Sequence, residues 1–132
     1  MSLSAAIWSI KNGDLDEVKK FIVRAHFGAY SNALLFQTGE NANCDLDGRK
    51  PIHIAADFGH NAIIEYLLSV GADINALDNH GLTALLTAVY EGHTETVKLL
   101  LNKGAKKDVV SPDGRSCAEC AEKPDIRALL TA

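Results

Sequence analysis

Apolar residues recur along this chain at helical spacing in short, bounded runs. In "HNAIIEYLLSVG" the residues Ile63, Ile64, Leu67 and Leu68 fall on one face of a helix that Gly71 closes. "TETVKLLLNKG" repeats the pattern with Val97, Leu100 and Leu101, closed by Gly104. Ahead of each lies a shorter helical segment. "LDGRKPIHIAADFG" has a glycine turn, then Pro51 at a helix start, where its missing N–H is not needed. Ala55 and Ala56 are small enough for close helix packing, and Gly59 ends the segment. At the N-terminus, "AAIWSIKNGDLDEVKKFIV" predicts the same two helices, with Trp8, Ile10, Leu15, Val18, Phe21 and Ile22 as apolar contacts. "GRSCAECAEKPDIRALLTA" predicts a worn pair at the other end, keeping the Ile126, Leu129 and Leu130 face around a shortened turn at Pro124.

These pairs follow a fixed period. Gly48, Gly81 and Gly114 recur every 33 residues, as do Ala55, Ala88 and Ala121. The same offset relates Gly59 to Gly92, His60 to His93, Leu67 to Leu100 and Gly71-Ala72 to Gly104-Ala105. So many matches at one spacing mark a repeat architecture. A single short helix pair cannot bury its apolar face, so stacked neighbours must supply the core. The prediction is a single all-α domain, residues 1–132, a solenoid of about four helix-turn-helix units joined by finger loops. Its units are an N-terminal cap at 1–45, repeats at 46–78 and 79–111, and a degenerate C-terminal cap at 112–132.

One stretch breaks the period. From Gly13 to Gly59 is 46 positions, where Gly59 to Gly92 is 33. The extra length is assigned to an insertion at 26–39. Phe27, Tyr30 and Leu34 have helical spacing, which permits a short extra helix or an extension of the first long one. Gly28 counts against an uninterrupted helix. Leu34, Leu35 and Phe36 are expected to fold back over the edge of the stack; the alternative is an exposed patch that binds a partner.

Composition narrows the function. With 47% hydrophobic and 23% charged residues the chain reads as an ordered domain, and its net charge of −4 argues against nucleic acid. No run reaches the roughly 18 apolar residues of a membrane span, and the N-terminus lacks a signal-peptide pattern. Three cysteines, an odd number without an export signal, point to free thiols in a reducing compartment. The expected location is cytoplasmic, and a chain this small can also enter a nucleus. Cys117 and Cys120 in "CAEC" have a zinc- or redox-like spacing but lack a second pair or a following histidine, so they read as small helix residues. No phosphate loop or nucleophile pattern is present, so no catalytic, cofactor-binding or metal residue is predicted, and the chain is expected to be a monomer without enzymatic activity.

The 33-residue period and "PIHIAADFGHNAIIEYLLSVGADIN" resemble the ankyrin-repeat family. "WSIKNGDLDEVK", "GRKPIHIAAD", "GADINALDNHG", "LLTAVYEGHTETVKLLLNKGAKKDVVSPDG" and "IRALL" are similar, within that family, to the myotrophin-like proteins, whose pattern lacks the insertion. The resemblance implies a non-enzymatic inhibitor of the heterodimeric actin capping protein, bound on the basic surface that faces the barbed end. The alternative is a generic ankyrin adaptor for another cytosolic or nuclear protein, such as a transcription regulator. Ankyrin units present finger loops and short helices along one surface. On that surface the candidate contacts are Trp8, Lys11, Asp45, Asp47, Asp57, Phe58, Asp78, Asn79, Tyr90 and Glu91, with Asp73 also near a finger. Each has a plainer reading: the aspartates as turn or cap residues, Trp8 as end-cap core, Tyr90 as packing, Glu91 as a solvated charge. His53 stands where the family carries a histidine that ties a turn to its neighbour. Lys50 replaces the family's usual threonine, and Leu86 takes the histidine position one repeat later.

Overall fold

A computed structural model describes the backbone of residues 3–29 and 42–131, with side chains described from Ser4 to Ile22 and from Ala42 to Thr131. Among the described residues eight helices alternate short and long: α1 (Leu3–Lys11), α2 (Leu15–Ala29), α3 (Pro51–Asp57), α4 (Asn61–Ser69), α5 (Ala84–Glu91), α6 (Thr94–Asn102), α7 (Cys117–Cys120) and α8 (Pro124–Thr131). Helices α1, α3, α5 and α7 stack side by side as an inner layer, and α2, α4, α6 and α8 pack behind them. The all-α solenoid expected from the period is therefore present. Helix α2 continues through Gly28 to Ala29, so the inserted stretch begins as an extension of the first long helix. The rest of the insertion, including Leu34, Leu35 and Phe36, lies outside the described residues.

The inner helices approach closely because Ala55, Ala88 and Ala121 meet their neighbours with almost no exposed surface. The outer helices contribute Val18, Ile22, Ile63, Ile64, Leu67, Val97, Leu100 and Ile126 to one continuous core, each at most 1% exposed. Burying a side chain of this size contributes about 1.5–3 kcal/mol. Leu68, Leu101 and Leu129 are only partly buried and pack against the edge of that core.

Trp8 is not the end-cap core residue of its plainer reading. It is 60% exposed and lies outside the core, whereas Ala6, Ser9 and Ile10 of the same helix are buried. Position 8 sits about 200° around a helix from both 6 and 10, which turns it away from the buried stripe. The buried Ser9 hydroxyl is satisfied by the Ala5 carbonyl one turn back, at 2.8 Å.

A buried histidine ties the short helix α3 to the finger that follows it. His53 is fully buried; it accepts from the Lys50 amide at Nδ1 (3.1 Å) and donates from Nε2 to the Ala76 carbonyl (2.8 Å). This fixes the neutral Nε2–H form, and burial pushes the His53 pKa below its usual value. Leu86, at the equivalent position, is buried without a polar role, and Thr83 caps its helix by accepting from the Leu86 amide at 3.2 Å.

The fingers are tight turns. At the first tip Leu46 and Arg49 pair across Asp47 and Gly48, whose φ values of 58° and 90° suit a two-residue hairpin turn. Aspartate tolerates this left-handed backbone better than most residues, which gives Asp47 a local reason to be there.

Candidate protein-binding face

The inner helices and fingers form one face, and the predicted contact residues divide into three groups on it. At the N-terminal end Trp8 stands exposed on α1. One turn later the Lys11 ammonium sits 5.8 Å over the Phe58 ring. Phe58, 43% exposed at the end of α3, stacks on His60 with 6.4 Å between centroids and 8° between planes. His60 in turn donates to the Lys11 carbonyl at 2.7 Å. Lys11, Phe58 and His60 are thus one interlocked cluster presenting an aromatic face and a cation.

The middle group lines a groove of about 360 Å³ between α3 and α5. Asp57, Asp78, Tyr90 and Glu91 meet there, joined by Arg49 and Leu82. Arg49 pairs with Asp57 at 3.3 Å and also donates to the His53 carbonyl at 3.1 Å, so part of this acidity is neutralised in place. Asp78 accepts from the amides of His80 and Leu82 at 2.9 and 3.0 Å, which builds the finger turn and leaves the carboxylate at the groove wall. Glu91 is exposed at the groove's edge. Tyr90 is 39% exposed, and its hydroxyl accepts a hydrogen bond from the Cys120 thiol at 3.4 Å. That contact, with burial second, pushes the phenol pKa above its ordinary value.

The third group is on the fingers. Asp45 and Asp47 are exposed on the first, away from the groove. Asn79 is exposed on the second, and its amide donates to the Gly48 carbonyl at 2.8 Å, tying two fingers together. Asp73 serves a turn, accepting from the Asn75 amide at 3.0 Å.

Sequence reasoning missed Leu77 and Val110, which are 59% and 57% exposed on successive fingers. Their signal was available: an apolar residue recurring at 33-residue spacing in a segment without helical period. Arg49 was also missed, since a cation beside a glycine turn has no distinctive pattern.

Cys117 and Cys120 are buried as expected for small helix residues, and burial pushes the Cys117 thiol up to about 11. Among the described residues no group of three His, Cys, Asp or Glu side chains converges as a metal site, and no helix is long and apolar enough to cross a membrane. The face offers complementary surface, with aromatic anchors, a partly neutralised acidic groove and fixed turns. Such a surface recognises another protein.

The family profile for ankyrin repeats in three copies matches residues 3–111. A myotrophin of Xenopus tropicalis is 49% identical over 125 residues, which cover 94% of both chains. Partial matches reach much larger proteins. The human transient receptor potential cation channel subfamily A member 1 is 42% identical over 65 residues, 49% of this chain and 6% of the channel. An Arabidopsis thaliana ADP-ribosylation factor GTPase-activating protein, AGD4, is 30% identical over 107 residues, 81% of this chain and 14% of that protein. Such varied hosts show that the scaffold alone does not name a partner, whereas the first match runs end to end. The chain is a protein–protein interaction module that belongs to the ankyrin-repeat family and, within it, to the myotrophin-like proteins.

Proposed function

We propose that this chain inhibits the heterodimeric actin capping protein by binding and sequestering it, and so promotes growth at actin barbed ends. The observation that carries the proposal is the end-to-end match to a myotrophin, 94% of each chain. The proposed contacts are Trp8, Lys11, Asp45, Asp47, Asp57, Phe58, Asp78, Asn79, Tyr90 and Glu91. Trp8 and Phe58 offer apolar area that the fold does not use, and the groove acids suit a basic partner surface. Inhibition needs no chemistry: a partner whose filament-facing surface is occupied cannot reach the barbed end. The units supporting the face are proposed as 46–78 and 79–111, between end units 1–45 and 112–132. The proposed compartment is the cytoplasm, with a nuclear pool as a second.

Titration calorimetry with the purified capping heterodimer tests the reading, with a one-to-one complex as the expected result. Absence of heat at micromolar concentrations, together with recovery of a different protein in a pull-down, overturns it in favour of an adaptor role.

A further inference from the structure

We propose that Cys117 and Cys120 are a peroxide-sensitive dithiol that closes to a disulfide within α7 and deprives Tyr90 of its thiol partner. The site lies in the C-terminal unit and does not depend on which partner the chain takes.

The backbone brings the two cysteines together. They open and close the four-residue helix α7, at positions i and i+3. Helical geometry sets their Cα atoms about 5 Å apart on one face. A disulfide needs roughly 4.4–6.8 Å between Cα atoms, so this pair meets the requirement with the helix in place. Cys44, on the first finger, is separated from them by helices α3 to α6.

Each thiol is also a donor to a neighbouring element. Cys117 donates to the Val109 carbonyl at 3.5 Å, and Cys120 to the Tyr90 hydroxyl at 3.4 Å. Closing the disulfide withdraws both hydrogens at once, so its effect reaches beyond α7. Tyr90, which lines the groove between α3 and α5, loses the contact that ties it to the C-terminal unit.

The surroundings select the oxidant and the order of events. The two residues are only 1% and 4% exposed, which favours a small oxidant such as hydrogen peroxide over a bulky disulfide reagent. Burial, with the neighbouring Cys120 second, pushes the Cys117 thiol up to about 11, which makes it a poor first nucleophile. Cys120 touches the partly exposed Tyr90. The Arg115 guanidinium hydrogen-bonds the same hydroxyl and interacts electrostatically with Cys120, so a positive charge faces this sulfur as its proton leaves.

Cys120 Sγ attacks one peroxide oxygen. The O–O bond breaks, the sulfur becomes a sulfenic acid, and one water departs with the thiol proton. Cys117 Sγ then attacks that sulfur, the S–O bond breaks, and the leaving hydroxide takes the Cys117 proton as a second water. The two thiols lose two electrons and two protons, and one peroxide becomes two waters.

The test treats the full folded chain with hydrogen peroxide and maps its cysteines by mass spectrometry. The expected product is a peptide holding residues 117–120 that is about 2 Da lighter and is restored by dithiothreitol. Cys44→Ser should give the same product. In Cys117→Ala, dimedone should trap a sulfenic acid at Cys120, whereas in Cys120→Ala it should trap none at Cys117; the reverse pattern overturns the order of attack. Carbon-13 NMR of tyrosine Cζ reads the consequence, since oxidation should move the Tyr90 resonance and leave that of Tyr66 in place. A native chain that keeps 117–120 as a dithiol while Cys44 is oxidised overturns the site, as does irreversible addition of oxygen there without pairing. A disulfide that leaves the Tyr90 resonance unmoved overturns the link to Tyr90.

Discussion

His93 donates from Nε2 to the Asp57 carbonyl at 2.8 Å, and so bridges the turn before α6 to the end of α3. His60 makes the same bond one period earlier, onto Lys11 at 2.7 Å. At the next step Lys123 stands in, donating from its ammonium to the Gly92 carbonyl at 2.7 Å. Each unit is thus pinned to the carbonyl end of the inner helix before it, and those ends carry Lys11, Phe58 and Tyr90. The staples that hold the solenoid also fix the spacing of its candidate contacts.

A glycine comparison tests the staple. Gly59 has φ +70°, and a Cβ there would lie 3.0 Å from the His93 ring. Gly104 has φ +93° and open space around it. Gly104→Ala should cost only the left-handed backbone penalty, about 1–2 kcal/mol. Gly59→Ala should cost about 2–4 kcal/mol, because the ring must also move. Urea denaturation checks the order, and equal losses contradict it.

Acid should weaken the fold through His53. Burial depresses its folded-state pKa, while the unfolded chain takes up a proton near the ordinary value of about 6.5. The unfolded state then binds more protons as pH falls, so the stability from neutral, buried His53 is complete above about pH 6.5 and declines below it. The slope from this group is at most about 1.4 kcal/mol per pH unit. His53→Leu, copying Leu86, should remove that part of the slope while costing about 1–3 kcal/mol for the stranded Lys50 amide and Ala76 carbonyl. An unchanged slope in urea titrations from pH 7 to 5 contradicts the assignment.

Much of this was legible beforehand because glycine turns, alanine contacts and leucine faces obey the repeat directly. His53 and the buried cysteines fell where the period placed them. Trp8 was legible both as a contact candidate and as end-cap core, and its angular position between Ala6 and Ile10 puts it outside the core. Leu77 and Val110 escaped notice because an apolar residue in a short loop looks like a buried anchor until exposure is known. The dual use of Asp78 depends on backbone amides of its own turn, which composition does not reveal.

Surface and core should separate cleanly. Trp8→Ala should change stability by no more than about 0.5 kcal/mol and weaken capping-protein binding about tenfold or more. Ile64→Ala should cost about 2–5 kcal/mol without altering the affinity of the molecules that remain folded. Calorimetry paired with urea melts checks both, and a large stability loss at Trp8 contradicts its placement.

Thiol labelling reports the end unit. Cys117 is buried with its thiol pushed up to about 11, so iodoacetamide at pH 8 should leave it unmodified in the folded chain and label it after denaturation. Cys44 is half-buried with a raised pKa and should react more slowly than a free thiol. Mass spectrometry of the labelled peptides reads this, and rapid native labelling of Cys117 contradicts the packing of α7.

Barbed-end elongation in the presence of capping protein tests the central claim most directly. Filament seeds are mixed with actin monomers and enough capping heterodimer to stop growth, and this chain is then titrated in. Dose-dependent recovery of elongation, saturating near one chain per heterodimer and blunted by Trp8→Ala with Glu91→Gln, is the predicted result. Growth that stays arrested at concentrations well above the heterodimer contradicts the proposal.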